Sequence, residues 1–317
     1  MKRPAQHGWT VVEFAIATLL GMMVMLLSSA LLLGASSSFR GNGEAMLMTD
    51  SGRHALDVLE QAVRQSAYVN WDAESAPPEL AAEAAPAIAG LDAHSISRSS
   101  DGIGEPLAAV ANGSDVLAIR FAGTGGGSNG DGSMLNCAGF GVAAPVAEME
   151  RGWSIFYVAL NADGDPELRC KYRGANGWGA DAVVGGVDSF QVLYGLDTDV
   201  PSDGVPNTYV NATAINQLDA GLALVGSTPD ELQRDRNRKT NWKRVCSVKV
   251  ALLLRGDVGS RPDSVAGIFD LFGKAYADAH GDDVGVRVLE SQLPPAQQLR
   301  ARQVFSTTIM LRNRGGS

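Results

Sequence analysis

The amino-acid sequence predicts an α+β protein in which one long amino-terminal helix packs against an antiparallel β-sheet. An uncharged apolar run occupies residues 14–35, and an amphipathic helical pattern continues to residue 68. Short strand patterns separated by turns follow to the end of the chain. Glycine is frequent, at 37 of 317 residues, and this favours many turns and short strands over a helix bundle.

The apolar run of residues 14–35 is long enough to cross a membrane. Its 22 residues would span about 33 Å as a helix, which matches the hydrocarbon core of a bilayer. Lys2 and Arg3 precede the run, so the positive-inside rule places the amino terminus in the cytoplasm and the residues after 40 across the membrane. The sequence has no second run of this length, which predicts a single-pass topology.

Two simpler interpretations of this segment leave Glu13 unexplained. A secretory signal peptide has a shorter apolar core of about 7–15 residues, although the string GAS at 34–36 resembles a poor cleavage site. A plain membrane anchor has the right length but needs no carboxylate. A carboxylate deep in an apolar span costs roughly 2.5–3.5 kcal/mol, so we expect Glu13 to have a partner or a task.

The string GWTVVEFAIATLLG, from Gly8 to Gly21, resembles the leader junction of type IV prepilins. That family has a short basic leader, a glycine, an apolar first mature residue and a glutamate at mature position five. The resemblance implies a leader of residues 1–8, cleavage between Gly8 and Trp9 by prepilin peptidase, and methylation of the new amine at Trp9. The family usually has phenylalanine where this chain has Trp9, and the change keeps the position aromatic.

The same resemblance implies that Glu13 acts in subunit assembly. In a packed filament, its carboxylate would meet the amino-terminal amine of a neighbouring subunit. In a low dielectric, such a pair contributes register more reliably than net stability. The alternative is that Glu13 is an interfacial residue at the membrane edge.

A second helical stretch is predicted from about residue 40 to residue 68. The glycines of GNG at 41–43 are expected to weaken the helix locally, since glycine costs about 1 kcal/mol against alanine in a helix interior. Beyond them, Leu56, Leu59 and Val63 form one apolar stripe, which is expected to pack on a sheet.

Residues 69–317 form the predicted β-rich head, after a stem of residues 9–68. Patterns rich in β-branched and aromatic residues predict strands. These strands are expected at 113–121, 153–160, 167–172, 189–196, 245–256 and 304–313. Residues 72–113 are predicted to be a long irregular connection with a short strand near 87–90. The segment 231–245 is mostly polar and could hold a helical turn.

Strings along the head resemble the PilW family of minor pilins. They are GSDVL, LNCAG, LRC, YGLDTD, a Trp-x-x-Val lead-in to VKVALLLR, and the closing RQVFSTTIMLRNR, and they occur in family order. The resemblance implies a structural subunit that primes type IV pilus assembly in a tip complex, with no enzymatic activity and no cofactor. It implies the bacterial inner membrane and then the pilus as locations. The implied partners are other minor pilins, the major pilin, prepilin peptidase, inner-membrane lipid and a tip adhesin.

Two alternative functions stay open. A minor pseudopilin of type II secretion, of the GspJ kind, shares the amino-terminal logic, although the larger head and the closing string favour the pilus. A membrane-anchored periplasmic enzyme or binding domain would keep an uncleaved amino terminus and need convergent polar groups, for which the sequence offers no candidate set. The formal net charge of −9 also argues against a nucleic-acid partner held by bulk charge.

Cys137 and Cys170 are the predicted disulfide pair, although three cysteines allow any pairing. The two residues flank the strand at 153–160, and after export they would lie in an oxidising compartment. A bridge between them closes a loop of roughly 34 residues and stabilises the fold by about 3–4 kcal/mol in the chain-entropy model. Cys246 opens an apolar strand and is expected to stay a buried thiol.

Motifs that look like cofactor or catalytic sites have simpler explanations. The string GGGSNG at 125–130 has the glycine spacing of a dinucleotide site but no helix pattern after it, so we expect a mobile loop. The string HGDD at 280–283 has no accompanying nucleophile motif. Two loops carry aspartates at calcium-ligand spacing: residues 161–165, and a loop with Asp197, Asp199 and Asp203.

Neither aspartate loop has both the glycine and the glutamate of an EF-hand. Turns closed by Asn and Asp side chains explain both loops without metal. The sequence therefore predicts no cofactor, and the Asp197–Asp203 loop is the first candidate if calcium binds at all.

Overall fold

The structure, a computed structural model, describes residues 10–68, 82–147, 150–261 and 265–312. The chain divides into two compact units, residues 1–47 and residues 48–317. The predicted leader of residues 1–8 lies outside the described residues.

Helix α1 (Val11–Gln65) contains both the apolar run and the amphipathic stretch. The helix is continuous through residues 41–43, where the glycines predict a local weakening. Propagating an existing helix is far easier than starting one, so these glycines do not end it. In the first unit, Val11–Ser36 is long and apolar enough to cross a membrane, and none of its most apolar part is buried. In the second unit, Leu59 and Val63 of the predicted stripe are fully buried.

Two antiparallel sheets form most of the second unit. The five-stranded sheet has the order β1 (Ile88–Leu91), β4 (Val116–Phe121), β5 (Gly152–Leu160), β6 (Pro166–Gly174) and β7 (Gly177–Gly185). The four-stranded sheet has the order β13 (Arg302–Met310), β10 (Val245–Arg255), β8 (Val187–Leu196) and β9 (Thr208–Val210). Two small ribbons pair β2 (His94–Ser95) with β3 (Leu107–Ala108), and β11 (Ile268–Asp270) with β12 (Arg287–Leu289).

In the described loops of the head lie three short α-helices: α2 (Ala212–Ala220), α3 (Pro229–Lys239) and α4 (Lys274–Ala279). The polar segment predicted a single helical turn, and the structure has an 11-residue helix, α3, in its place. The reason is a capping box, in which Glu231 N donates to Thr228 Oγ1 at 3.2 Å and Thr228 N donates to the Glu231 carboxylate at 3.2 Å.

One apolar core joins the end of α1 to both sheets, so the predicted α+β fold with the helix packed on antiparallel sheets is confirmed. The helix approaches the four-stranded sheet closely at Gly52. A Cβ there would lie 2.5 Å from the ring of Phe305, so only glycine fits without a shift. Each layer contributes buried side chains, among them Ala55, Leu59 and Val63 of α1, Leu117, Phe156 and Leu168 of the five-stranded sheet, and Phe190, Val192 and Val250 of the four-stranded sheet.

A buried ionic network fastens the last strand to its neighbours. The guanidinium of Arg302 is fully buried and donates from Nε to Asp188 at 2.6 Å, from Nη1 to Glu290 at 3.2 Å, and from Nη2 to the carbonyl of Gln297 at 2.5 Å. Arg255 also pairs with Asp188, at 3.3 Å. The network links β8, β10, β13 and the segment that follows β12.

Glu290 stays ionised in this network in spite of its burial. Burial raises the pKa of its carboxyl, but hydrogen bonds from Gly267 N at 2.8 Å and from Arg261 at 2.7 Å outweigh that effect and hold the pKa below its ordinary value.

Candidate functional site

The amino-terminal assembly segment is described from Thr10 onward, so the predicted cleavage residues Gly8 and Trp9 lie outside the described residues. Glu13 lies in the first turn of α1 and is exposed. Its Oε2 accepts hydrogen bonds from Thr10 N at 2.8 Å and from Thr10 Oγ1 at 3.0 Å. In return, Glu13 N donates to Thr10 Oγ1 at 3.3 Å.

This reciprocal pattern is a capping box at the start of α1. The partner that Glu13 was expected to need is therefore Thr10, and a threonine three residues before a glutamate is the sequence signal for it. The positive end of the helix dipole also stabilises a carboxylate at this position. The arrangement presents a negative charge in the first turn of α1.

Cys137 and Cys170 are joined by a disulfide in the structure, with their Cα atoms 5.8 Å apart. Cys170 is buried on β6, and Cys137 lies in the long loop between β4 and β5. Cys137 N also donates to Ser154 Oγ of β5 at 3.0 Å. The loop is thus tied to the middle of the five-stranded sheet. Cys246 is buried on β10 and takes no part in a disulfide.

The glycine-rich part of this loop has its own hydrogen-bonded turns. Asp131 accepts hydrogen bonds from Thr124 Oγ1 at 2.6 Å and from Ser133 N at 2.9 Å. The hydrogen bonds from Thr124 and Ser133 lower the pKa of Asp131 to about 2. Gly125, Gly127 and Gly130 have positive φ, so the glycines serve the turns, and no helix follows within the described residues up to 147.

A groove of about 670 Å³ lies between this loop and the β6–β7 hairpin. Phe140, Tyr172 and Trp178 contribute its aromatic lining. The polar ends of two of these rings are used inside the head, since Tyr172 Oη donates to Asp181 at 3.0 Å and Trp178 Nε1 donates to Asp101 at 3.2 Å. The groove therefore presents ring faces together with polar and charged side chains, among them Glu150, Arg173 and Asn176. The sequence does not predict this groove, because its lining residues come from segments that are far apart in the chain.

Lys171, next to the bridged Cys170, is buried beneath the groove-lining Trp178. Its Nζ donates to the carbonyls of Ser97 at 2.9 Å and Gly102 at 2.8 Å. Burial lowers the pKa of this ammonium to about 8. The contacts fasten the segment around residue 100 to the five-stranded sheet.

The Asp197–Asp203 loop brings its three carboxylates together. Asp197, Asp199 and Asp203 each place one oxygen within 4.8 Å of the others, a spacing that could surround a cation. Asp197 is buried, however, and its carboxylate already accepts hydrogen bonds from Asp199 N at 3.2 Å, from Ser202 Oγ and from Gly204 N. A cation would compete with these donors.

The second aspartate loop is closed in the same way. Asn161 Oδ1 accepts hydrogen bonds from Asp163 N and Asp165 N, each at 2.9 Å. The carboxylate of Asp165 pairs with the buried guanidinium of Arg255. This loop therefore forms a turn that is closed by the asparagine side chain and anchored by an ion pair.

Replacing Asp197 by alanine is expected to lower the free energy of unfolding by about 1–3 kcal/mol, because Asp199 N and Gly204 N lose a buried acceptor. Urea denaturation of the full chain in detergent, followed by tryptophan fluorescence, measures the change. Asp203→Ala, at the exposed end of the loop, is the matched control and is expected to have a smaller effect. We expect calcium to leave the wild-type midpoint unchanged. A saturable rise in midpoint that Asp203→Ala abolishes would show a metal site instead.

The family model described as type IV pilus-assembly protein W matches residues 155–313, which is half of the chain. The matched segment runs from within β5 past the end of β13 and contains the whole four-stranded sheet, together with β6, β7 and most of β5 of the five-stranded sheet. No curated protein and no solved structure matches the chain.

Proposed function

Because the chain belongs to the type IV pilus-assembly protein W family, we propose that it is a minor pilin with a structural and not a catalytic role. In this proposal the chain joins other minor pilins to prime assembly and stays near the pilus tip. The family match carries the proposal, and it favours the pilus over a type II secretion pseudopilus.

The exposed apolar helix supports this function. Val11–Ser36 has 26 residues, its most apolar 18 residues have a mean hydropathy of 2.3, and it needs an apolar environment. Inner-membrane lipid supplies that environment before assembly, with the amino terminus in the cytoplasm and the head in the periplasm. Packed helices of neighbouring subunits supply it in the filament. The helix exchanges one apolar environment for another, so its extraction is energetically feasible.

Processing and assembly meet at the first turn of α1. Cleavage by prepilin peptidase after Gly8 would leave a methylated amine on Trp9, one residue before the Thr10–Glu13 capping box. In the single subunit Thr10 satisfies the carboxylate of Glu13. In the filament the amine of a neighbour would add a charged partner to the same carboxylate, which sets the register between subunits.

In this proposal the head contacts the partners of the subunit. Its glycine-rich loop and the aromatic groove beside it are the surfaces we assign to a neighbouring pilin or a tip adhesin. The aromatic faces there favour a partner that docks apolar or planar groups.

Substitution of Gly8 by leucine tests the processing step. A side chain at the scissile bond is expected to keep the leader peptide from entering the peptidase in extended form, so the full 317-residue chain should accumulate in membranes. Ala5→Leu, which lies within the leader but away from the bond, is the matched control and should be processed. Intact-mass measurement separates the two forms. Normal processing of Gly8→Leu would count against the proposed cleavage site.

A further inference from the structure

Strand β13 is an open edge of the four-stranded sheet. It pairs only with β10 in the described sheet, in an unbroken antiparallel register from Arg302 to Met310. Natural proteins usually protect such edges with charges, prolines or bulges. Residues 303–310 contain neither charge nor proline, and the pairing with β10 has no bulge. The strand is therefore available for pairing with another chain.

The ladder with β10 determines which backbone groups face outward. Leu311 N donates to the Cys246 carbonyl at 2.9 Å, and Gly256 N donates to the Ala301 carbonyl at 2.8 Å. The odd-numbered residues of β13 consequently exchange their hydrogen bonds with β10. The even-numbered residues turn their N–H and C=O groups away from β10. These residues are Val304, Ser306, Thr308 and Met310, and in the described part of the chain no hydrogen bond reaches their backbone groups.

The chemistry of this edge reads the same in both directions. Residues 304–310 are VFSTTIM: two apolar residues, three hydroxyl residues and two apolar residues. Antiparallel pairing of two copies about Thr307 places Val304 opposite Met310, and Ser306 opposite Thr308. Even-numbered residues then face even-numbered residues, so every outward N–H meets an outward C=O. Hydroxyl side chains that lie opposite each other, as Ser306 and Thr308 would, stabilise a sheet by hydrogen bonding across the strands.

We propose that this chain self-associates through β13, with a second copy pairing antiparallel on a twofold axis at Thr307. The self-complementary strand favours a second copy as the occupant, because a twofold interface needs the same patch on both subunits and this strand meets that requirement. The seven paired residues carry no charge, so their pairing brings no like charges together even though the whole chain has a net charge of −9. The contact is small, so we expect a weak dimer that depends on local concentration in the membrane. This inference does not rest on the proposed pilin function.

Cysteine cross-linking of the full chain in membranes tests the register. Thr307 would face its own copy across a non-hydrogen-bonded pair with Cα atoms about 4.5 Å apart, within reach of a disulfide. Thr307→Cys is expected to give, under mild oxidation, a reductant-sensitive dimer at least about tenfold above that of the wild-type chain. Gln303→Cys is the matched control on the same strand, because its partner in this register is Leu311 and not itself.

A second variant separates pairing from folding. Ser306→Pro removes one outward N–H and leaves the hydrogen bonds to β10 in place, so it should abolish the Thr307→Cys dimer without unfolding the head. No dimer from Thr307→Cys, equal yields from both cysteines, or cross-linking of Thr307→Cys to a different protein would each overturn the proposal.

Discussion

Replacing Arg302 by alanine is expected to lower the free energy of unfolding by about 3–5 kcal/mol, the cost typical of breaking a buried ion pair from one side. The guanidinium lies between the carboxylates of Asp188 and Glu290, both of which are buried. Its removal leaves Glu290 with Arg261 and Asp188 with Arg255 at 3.3 Å, a longer and weaker arrangement. Urea denaturation of the full chain in detergent measures the effect.

Two further variants show whether the network causes this loss. Arg312→Ala removes an exposed arginine just beyond the end of β13 and is expected to change stability by less than about 0.5 kcal/mol. Arg302→Lys keeps the charge but loses the planar fork that reaches Asp188, Glu290 and the Gln297 carbonyl together, so it should fall between wild type and alanine. An alanine variant as stable as wild type would show that the network adds no stability.

Removing the disulfide by the double change Cys137→Ala and Cys170→Ala is expected to cost about 3–4 kcal/mol. The bridge spans 33 positions of the chain, and a loop of that length restricts the unfolded chain by this amount in the entropy model. The glycine-rich loop should also become a protease target, because the bridge fastens it to β6. Urea denaturation and limited proteolysis measure the two effects.

Reductant provides the control for this prediction. Wild type with reductant should unfold at the midpoint of the double variant, and the double variant should not respond to reductant at all. Cys246→Ala keeps the bridge and should respond as wild type does. A wild-type midpoint that reductant leaves unchanged would mean that the bridge does not stabilise the head.

The main strands follow directly from local sequence patterns. Six strands expected from β-branched and aromatic runs are present as β4, β5, β6, β8, β10 and β13, with ends shifted by a few residues. These strands form the buried sheets, where the local preference and the tertiary environment agree. The apolar run and the stripe through Leu59 and Val63 likewise predict α1 and its packing on the sheets.

Local sequence patterns do not predict the elements that form only because a tertiary partner is present. β7 carries Gly177, Gly179 and Gly185, residues disfavoured in strands, and it forms because β6 offers it a ladder. The sequence likewise does not predict that Lys171 fastens the segment around residue 100 to the sheet. Its three acceptors come from the segment around residue 100, about 70 positions away, which no local spacing reveals.

The candidate site divides in the same way. Glu13 stands out in the sequence because a carboxylate beside an apolar run is costly, and the spacing of Thr10 and Glu13 is the sequence signal for its capping-box partner. The aspartates at 197, 199 and 203 lie close together in the sequence. Only the structure shows that Asp197 is buried and that its carboxylate already accepts hydrogen bonds within the loop.

The amino-terminal peptide of the chain recovered from sheared pili tests the pilin proposal most directly. Mass spectrometry of pili from cells with prepilin peptidase should find a peptide that begins at N-methylated Trp9, and cells without the peptidase should retain Met1 in the membrane fraction. A chain that begins at Met1 in both strains, or one that is cut near Ala35, would contradict a processed minor pilin.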